Sequence, residues 1–226
     1  YHANIHKALK YAVKLDLISS NPADKIERPK KERFMANFYD ADEVNRLFEI
    51  SKGTKLEIPI LFGAFYGMRR SETLGMKWDA IDFERDTITI RHTLTTVALD
   101  GKRITVAEDR TKNKSSMRTL PLVPFVKERL LELKAEQEEN RRLCGRSYVK
   151  DYTGYVCINE IGDIIKPNYV SCGFPKLLEE HGLRRVRYHD LRHSCASLLL
   201  ANGVPMKQIQ EWLGHSDFST TANIYA

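Results

Sequence analysis

Three short runs rich in β-branched residues lie together in the middle of the sequence, and segments with helical periodicity flank them on both sides. The runs are TITIRHTLTTV, KRITVAE and MRTLPL, separated by an Asp100-Gly101 pair and by the polar stretch DRTKNKSS. An Asp-Gly pair between two strands is typical of a hairpin turn, so neighbouring runs are expected to pair antiparallel. The sequence therefore predicts an α+β protein that is mainly α-helical and contains a small three-stranded antiparallel sheet.

Further elements are predicted on both sides of these runs. A strongly apolar helix is expected over IPILFGAFYG, an amphipathic helix over residues 124–143, and more helices from Pro167 onward. The segment YVCI at residues 155–158 is predicted to be a short edge strand.

The helical segments divide the chain into two parts. The N-terminal segment has apolar residues at helical spacing, and prolines and charges then replace that periodicity. A single helix cannot bury its own apolar face, so residues 1–27 are expected to be the C-terminal fragment of a helical domain, followed by a linker at 28–38. Asp40 lies three residues before Glu43, which is capping-box spacing, and the second domain is predicted over 39–226.

Composition favours a cytoplasmic protein with an affinity for polyanions. The chain contains 36 Lys and Arg against 30 Asp and Glu, a formal net charge of +6. No run approaches the roughly 20 apolar residues that span a bilayer, so no membrane partner is expected. The four cysteines show no C-x-x-C pair and no metal-finger spacing, which is typical of unpaired thiols in a reducing cytoplasm.

The stretch HDLRHSCAS places polar residues in a segment with the apolar content of a buried helix. If it is helical, His189, Arg192 and His193 lie at positions i, i+3 and i+4 and share one face. A zinc site is the weaker interpretation, because no glutamate lies between the histidines and Arg192 would repel a cation. Two capped or solvated histidines near a helix start are the simpler explanation of this segment taken alone.

Two further segments place charged or hydroxyl-bearing side chains beside predicted helix ends. In GMRRSE, Glu72 follows Arg69 by three residues, so its carboxylate can hold the arginine in a fixed pose, or form an ordinary surface ion pair. In WLGHSDFSTTANIYA, Gly214 can end one helix, which places His215 at a helix junction and Tyr225 on the next helix. A packing aromatic is the alternative interpretation of that tyrosine.

Together these segments resemble the tyrosine recombinase, or phage integrase, family. The family's motifs G-[LM]-R-x-[SG]-E, H-x-L-R-H and L-G-H, followed by a nucleophilic tyrosine, all match in the expected order. The matching residues are Arg69, Glu72, His189, Arg192, His193, His215 and Tyr225. The family also has a basic residue on its sheet hairpin, which corresponds to Lys112 or, as a competing assignment, to Lys114.

The resemblance implies a catalytic domain preceded by the end of a core-binding domain, the segment that closes with NPAD. It also implies double-stranded DNA as the partner, a homotetramer on synapsed DNA, and possible accessory DNA-bending or directionality proteins. Metal and ATP are not expected, because the energy of the phosphodiester is kept in a 3′-phosphotyrosine bond joining protein to DNA. No cofactor is therefore expected.

The family's chemistry implies a role for each matched residue. The planar guanidinium groups of Arg69 and Arg192 suit the developing charge on a phosphate, with Glu72 and His193 in support. Tyrosine is protonated at neutral pH and needs a nearby proton acceptor or a strong positive field before it can attack, and His189 is the predicted acceptor. His215 is expected to donate a hydrogen bond to a phosphate oxygen. Lys112 is expected to supply a proton to the departing 5′ oxygen.

Basic residues away from these motifs are candidates for phosphate contacts that position the duplex. Each basic run has the alternative of being a solvated face. The candidates are Lys30, Lys31, Arg33, Arg70, Lys114, Arg184, Arg185 and Arg187.

Three functions remain distinguishable from these residues. The favoured one is strand exchange by the integrase of a mobile element, since ALKYAVKLDLISSNPAD and TKNKSSMRTLPL resemble integrases of temperate phages and conjugative transposons. A type IB topoisomerase would use a similar residue set to relax supercoils. A helix-turn-helix regulator formed by residues 201–226 is the non-catalytic alternative, and it leaves the arginines and Glu72 unexplained.

Overall fold

The computed structural model describes residues 1–27, 38–99, 102–108 and 117–214. The chain divides into two units, Tyr1–Met35 and Ala36–Ala226. The described helices are α1 (His2–Lys14), α2 (Ala41–Ser51), α3 (Glu57–Tyr66), α4 (Arg70–Leu74), α5 (Pro124–Cys144), α6 (Pro167–Glu180), α7 (Leu191–Ala201) and α8 (Met206–Leu213). The described strands are β1 (Ile81–Asp82), β2 (Thr87–Ile90), β3 (Thr93–Leu99), β4 (Lys102–Glu108) and β5 (Arg118–Pro121).

The first unit consists of α1 and a short 3₁₀ turn at Pro22–Lys25. The side chain of Asn21 caps this turn by accepting a hydrogen bond of 3.0 Å from the backbone N–H of Ala23. His6 Nε2 lies 2.6 Å from Asp24 Oδ1, which ties α1 to the turn. Within the described residues 1–27, α1 has no buried residue, and its apolar side chains are at most half-buried.

The second unit is built around α3. Nine of the ten residues of α3 are buried, and α2 and α7 pack against it. α2 begins at the predicted capping box, which is confirmed: Asp40 accepts a hydrogen bond from the Glu43 backbone at 2.8 Å, and Glu43 accepts one from Asp40 at 3.1 Å. The helix predicted over IPILFGAFYG is likewise confirmed as α3, which ends at Gly67 in the left-handed conformation.

Two small antiparallel sheets follow. β1, β2 and β5 form a three-stranded sheet in that order, while β3 and β4 form a separate hairpin. The three-stranded sheet buries Ile88, Ile90 and Leu120 on one face. The α+β class with a small antiparallel sheet is therefore confirmed.

The predicted strand assignment was wrong in detail. The first β-rich run was expected to be one strand, but it divides into β2 and β3 at Arg91 and His92, and β1 takes a place in the sheet instead. A close approach explains the break: a Cβ on Gly75 would lie 2.6 Å from the Cα of Thr93, so the backbone of the first residue of β3 packs directly on this glycine. β3 pairs with β4 in a separate sheet and does not extend the three-stranded sheet.

One other element also differs from expectation. Tyr155 and Ile158 form isolated bridges with Lys77 and Ile164, so the predicted edge strand at 155–158 was wrong. The helices expected at 124–143 and from Pro167 onward are confirmed as α5 to α8. Within the described ranges, no helix combines the length and the apolar character needed to cross a membrane.

Candidate active site

Arg69 is held at the start of α4 by the carboxylate of Glu72. Arg69 Nη1 donates a hydrogen bond of 2.6 Å to Glu72 Oε1, and the Arg69 backbone N–H donates one of 3.0 Å to Glu72 Oε2. The side chain of Arg69 is 36% exposed and that of Glu72 is 2% exposed, so the carboxylate fixes the arginine from the protein side. The predicted pairing is confirmed, and the catalytic role of Arg69 stays a prediction.

Arg192 is buried and joins the ends of two helices. Its Nη1 donates a hydrogen bond of 2.5 Å to the carbonyl of Gly67, at the end of α3, and its Nη2 donates to the carbonyl of Leu213, the last residue of α8. Carbonyls in the last turn of a helix have no intrahelical donor and a partial negative charge, so they suit a buried cation. Burial, assisted by the charges of Arg69 and Arg118, lowers the pKa of Arg192 to about 9, and the group remains charged at neutral pH.

Three consecutive carbonyls at the end of α8 each accept a hydrogen bond from a different arginine. The pairs are Arg118 Nε with Trp212 at 2.6 Å, Arg192 Nη2 with Leu213, and Arg69 Nη2 with Gly214 at 3.3 Å. The three arginines come from β5, α7 and the start of α4, which are far apart in sequence. The fold therefore brings three guanidinium groups together at the end of α8. His215 is the next residue in the sequence.

Arg118 was not among the predicted site residues. The MRTLPL run predicted a strand, and its burial pattern shows the missed signal: Arg118 and Leu120 are the buried positions of β5, while Thr119 and Pro121 are exposed. An arginine on the core-facing side of a strand needs a buried anion or carbonyl as its partner. Here the partners include Glu72, whose Oε2 lies 3.2 Å from Arg118 Nη2.

Glu72 pairs with two of the three arginines in this cluster, Arg69 and Arg118. Burial raises the pKa of Glu72, but the charges of Arg118 and Arg69 and their hydrogen bonds outweigh burial and hold that pKa below its ordinary value. Glu72 is thus ionised at neutral pH. The planar, charged donors of the cluster suit a phosphate oxyanion.

His189 and His193 lie side by side next to Arg192. His189 belongs to a 3₁₀ turn at Tyr188–Asp190 and His193 to the first turn of α7, so the segment is not one continuous α-helix. Their ring centroids are nevertheless 5.7 Å apart, with the planes at 87°, which confirms that they share a face. Buried Asp190 fixes the turn.

We expect the pKa of His189 to lie below the ordinary histidine value in the DNA-free protein. Enclosure of part of the ring disfavours the imidazolium, and the charges of Arg192 and His193 act in the same direction, against the opposing effect of Asp190. His189 is then neutral at pH 7 and able to accept a proton, and this ability is lost as the pH falls through its pKa. NMR titration of labelled histidines, assigned with His189→Gln, measures it; a midpoint above the ordinary value would contradict this electrostatic account.

Gly67 allows the end of α8 to approach α3. Its φ is +58°, and a Cβ at this position would lie 2.3 Å from Leu213 Cδ2 and 3.5 Å from Arg192 Cγ. A side chain here would therefore strain the backbone and force the buried Leu213 side chain to move.

Gly67→Ala is expected to lower the free energy of unfolding by about 3 kcal/mol, from left-handed strain plus overpacking. Gly53→Ala is the matched control, because Gly53 has φ +72° with nothing within 4 Å of the added Cβ, so strain alone should cost about 1 kcal/mol. Urea unfolding measures both variants. Equal losses would show that Leu213 does not pack on Gly67 as described.

Several predicted DNA contacts take part in contacts within the protein. Arg184 Nη2 donates to the Phe38 carbonyl at 2.7 Å and to Glu43 at 2.8 Å, so it anchors the start of the second unit. Arg187 pairs with Asp190 at 2.8 Å, and Arg70 donates to the Ser171 hydroxyl. Arg70, Arg184 and Arg187 remain exposed, as does Arg185, and DNA contact by these four residues stays a prediction.

The other predicted site residues lie outside the described residues. They are Lys112, His215 and Tyr225 of the catalytic set, and Lys30, Lys31, Arg33 and Lys114 of the basic set. Within the part of the chain that the structure describes, no group of three or more His, Cys, Asp or Glu is arranged to hold a metal ion.

Comparison with known proteins identifies a matching family and several relatives of this chain. The model of the phage integrase family matches residues 37–226. A tyrosine recombinase XerC-like protein of Caldanaerobacter subterraneus subsp. tengcongensis is 32% identical over 214 residues, covering 92% of this chain and 53% of that protein. Tyrosine recombinase XerA of Thermococcus onnurineus is 31% identical over 205 residues, covering 88% and 61%. The chain thus spans between half and two thirds of these relatives.

Solved structures share the fold. A Tn1549 transposon integrase in complex with a circular intermediate DNA superposes with a TM-score of 0.77 at 19% identity, covering all of this chain and 73% of that one. A XerA recombinase crystal structure gives a TM-score of 0.64 at 21% identity, covering 97% and 69%.

Proposed function

Because the chain belongs to the phage integrase family, we propose that it is the catalytic part of a site-specific DNA recombinase that cleaves and rejoins DNA through a 3′-phosphotyrosine intermediate. The observation that supports this most strongly is the meeting of Arg69 and Arg192 on the consecutive carbonyls of Leu213 and Gly214. Two guanidinium groups at one point provide the charge and planar donors that a phosphodiester under attack requires.

The proposed cleavage step conserves the phosphodiester energy. The Tyr225 oxygen attacks the phosphorus and forms a phosphotyrosine bond, while the bond from phosphorus to the 5′ oxygen breaks. His189 accepts the tyrosine proton, for which its lowered pKa keeps it neutral. Lys112, or Lys114, gives a proton to the departing 5′ oxygen. Reversal of these transfers on a second strand rejoins the DNA.

The charged pocket is assigned to the transition state. The scissile phosphate gains negative charge as the tyrosine attacks, and Arg69, whose side chain is 36% exposed, is accessible to that charge. Arg192 is 2% exposed and holds the ends of α3 and α8 while its charge adds to the field at the phosphate. His215 directly follows Gly214 in sequence and is assigned a hydrogen bond to a phosphate oxygen.

The wider assembly follows from the same proposal. Residues 1–27 would be the end of a core-binding domain, residues 28–38 its linker, and residues 39–226 the catalytic domain, working as a homotetramer on two duplexes in the cytoplasm. The relatives include recombinases solved on DNA, such as a XerH recombinase bound to its difH substrate. Within the family we favour strand exchange by a mobile-element integrase, assisted by accessory DNA-bending or directionality proteins.

A covalent trap tests the proposed function. The chain, in excess, is mixed with a library of nicked suicide duplexes whose bases around the nick are randomised, and adducts that survive denaturant are isolated and sequenced. We expect an adduct enriched in one sequence, because nicking lets the 5′-hydroxyl fragment diffuse away and prevents rejoining. We expect the yield to be unchanged by a metal chelator. Tight, sequence-selective binding with no adduct would favour a non-catalytic regulator instead.

A further inference from the structure

Arg118 joins three separate elements around the candidate site. It is the first residue of β5, where its backbone pairs with Ile90, and its side chain is 6% exposed. Nε donates to the Trp212 carbonyl of α8 at 2.6 Å, and Nη2 donates to Glu72 Oε2 of α4 at 3.2 Å. One planar guanidinium therefore connects the sheet to both helices.

The contact with Glu72 helps to determine how its carboxylate faces Arg69. The two oxygens of Glu72 have different side-chain partners: Oε1 accepts from Arg69 Nη1 at 2.6 Å and Oε2 accepts from Arg118 Nη2. Arg118 and the Arg69 backbone N–H both donate to Oε2, so Arg118 contributes to the orientation of the carboxylate, which in turn holds the partly exposed Arg69 side chain. The orientation of the accessible Arg69 thus depends on the buried Arg118.

The contact with the Trp212 carbonyl holds the end of α8. The Trp212 ring stacks on Tyr66 of α3, with centroids 6.1 Å apart and planes at 7°, while the Trp212 carbonyl is bound by Arg118. The next two carbonyls are bound by Arg192 and Arg69. Arg118 thus fixes the first of the three carbonyls that precede His215.

We propose that Arg118 is a positioning residue of the recombinase reaction, which orients Arg69 through Glu72 and holds the end of α8 through Trp212. The inference rests on the proposed function. Because its side chain is almost fully buried, Arg118 is assigned no contact with DNA. Arg118 is expected to affect the reaction through its contacts with Glu72 and Trp212.

The two-partner geometry explains why arginine is required. Nε and Nη2 lie in one rigid plane and reach a carbonyl and a carboxylate together, whereas a lysine has a single nitrogen on a flexible stem. Arg118→Lys keeps the charge beside Glu72 but is expected to lose one of the two contacts. Arg118→Met keeps the stem and loses both.

The test compares these two variants with Arg129→Met. Arg129 is a suitable control because it is also an enclosed arginine, 15% exposed and 2.7 Å from Glu57, but that glutamate begins α3, at the end opposite Gly67. Two quantities are measured with the suicide duplex: the single-turnover rate of adduct formation at saturating duplex, and the dissociation constant. The third is hydrogen exchange of the DNA-free protein, read out in peptides that cover Met206–Leu213.

Arg118→Met is expected to form the adduct about a hundredfold more slowly, with the dissociation constant changed less than about threefold, because a displacement near 1 Å at the reacting groups has an effect of this size. Arg118→Lys should recover about tenfold of that rate. Exchange at the end of α8 should accelerate about tenfold in Arg118→Met and remain unchanged in Arg129→Met.

The pH profile separates positioning from a general loss of stability. The charge of Arg118 helps to keep the pKa of Glu72 low. Its removal raises that pKa, so the loss of rate that follows protonation of Glu72, which is separate from the loss at His189, should move to higher pH in Arg118→Met and stay in place in Arg118→Lys. Arg129→Met should retain the native profile.

Two results would overturn the inference: a cleavage rate for Arg118→Met within threefold of native, or equal losses of rate and α8 protection in Arg118→Met and Arg129→Met. If the native chain forms no adduct on any duplex while Arg118→Met still selectively releases the end of α8, the coupling stands and the proposed function fails. The exchange measurement therefore distinguishes the two failures.

Discussion

Replacement of Arg192 by lysine is expected to slow covalent adduct formation by about 10²–10³-fold at saturating DNA. Lysine keeps the charge, but one nitrogen cannot bridge the carbonyls of Gly67 and Leu213, which Arg192 binds through two separate nitrogens. The loss of one preorganised electrostatic group at a transition state has an effect of this size. The dissociation constant should change only a few-fold, since backbone contacts are spread over the whole duplex.

The matched control is Arg141→Lys. Arg141 is 53% exposed near the end of α5 and pairs with Glu138 at 3.5 Å, so its replacement should change neither rate nor affinity measurably. If Arg192→Lys formed the adduct within threefold of the native rate, the buried guanidinium would only connect α3 to α8 and would have no part in the chemistry.

Glu72→Gln is expected to affect both stability and rate. The amide cannot balance the charges of Arg69 and Arg118, and breaking a buried ion pair at one partner costs about 3 kcal/mol in the free energy of unfolding. Release of Arg69 from its fixed pose should slow adduct formation by about a hundredfold in the fraction that remains folded. Urea unfolding and single-turnover cleavage measure the two effects.

Glu57→Gln separates these effects from each other. Glu57 is also an enclosed glutamate, 11% exposed and bound to Arg129, so its loss should reduce stability to a similar degree. Cleavage by the folded fraction of that variant should stay near the native rate. A shared loss of cleavage in the two variants would mean that the rate reports stability alone.

The motif residues and the helices were the most predictable features. Arg69 with Glu72 and His189 with His193 lie within four positions of each other, so local geometry alone predicts their contacts, and the structure confirms both pairs. The capping box at Asp40 was equally local. Such spacings cannot predict that a guanidinium donates hydrogen bonds to backbone carbonyls 21 to 145 positions away.

The meeting of three arginines at the end of α8 is a long-range feature of this kind. The carbonyls of residues 212–214 have no side-chain signature, so no motif reveals that three arginines would bind them. Arg118 was missed for this reason, although its core-facing place in β5 was a readable signal. The division between β2 and β3 was likewise hidden, because it depends on the packing of Thr93 against Gly75 across the fold.

The most direct measurement of the central claim identifies the amino acid that becomes joined to DNA. The adduct from the suicide duplex is digested with nuclease and protease, and the peptide that keeps a nucleotide is sequenced by mass spectrometry. We predict a 3′-linked nucleotide on Tyr225 alone, with no adduct from Tyr225→Phe and a native yield from Tyr169→Phe, a change at a tyrosine that is 46% exposed on α6. A nucleotide on any other residue, or an adduct that survives Tyr225→Phe, would contradict the account.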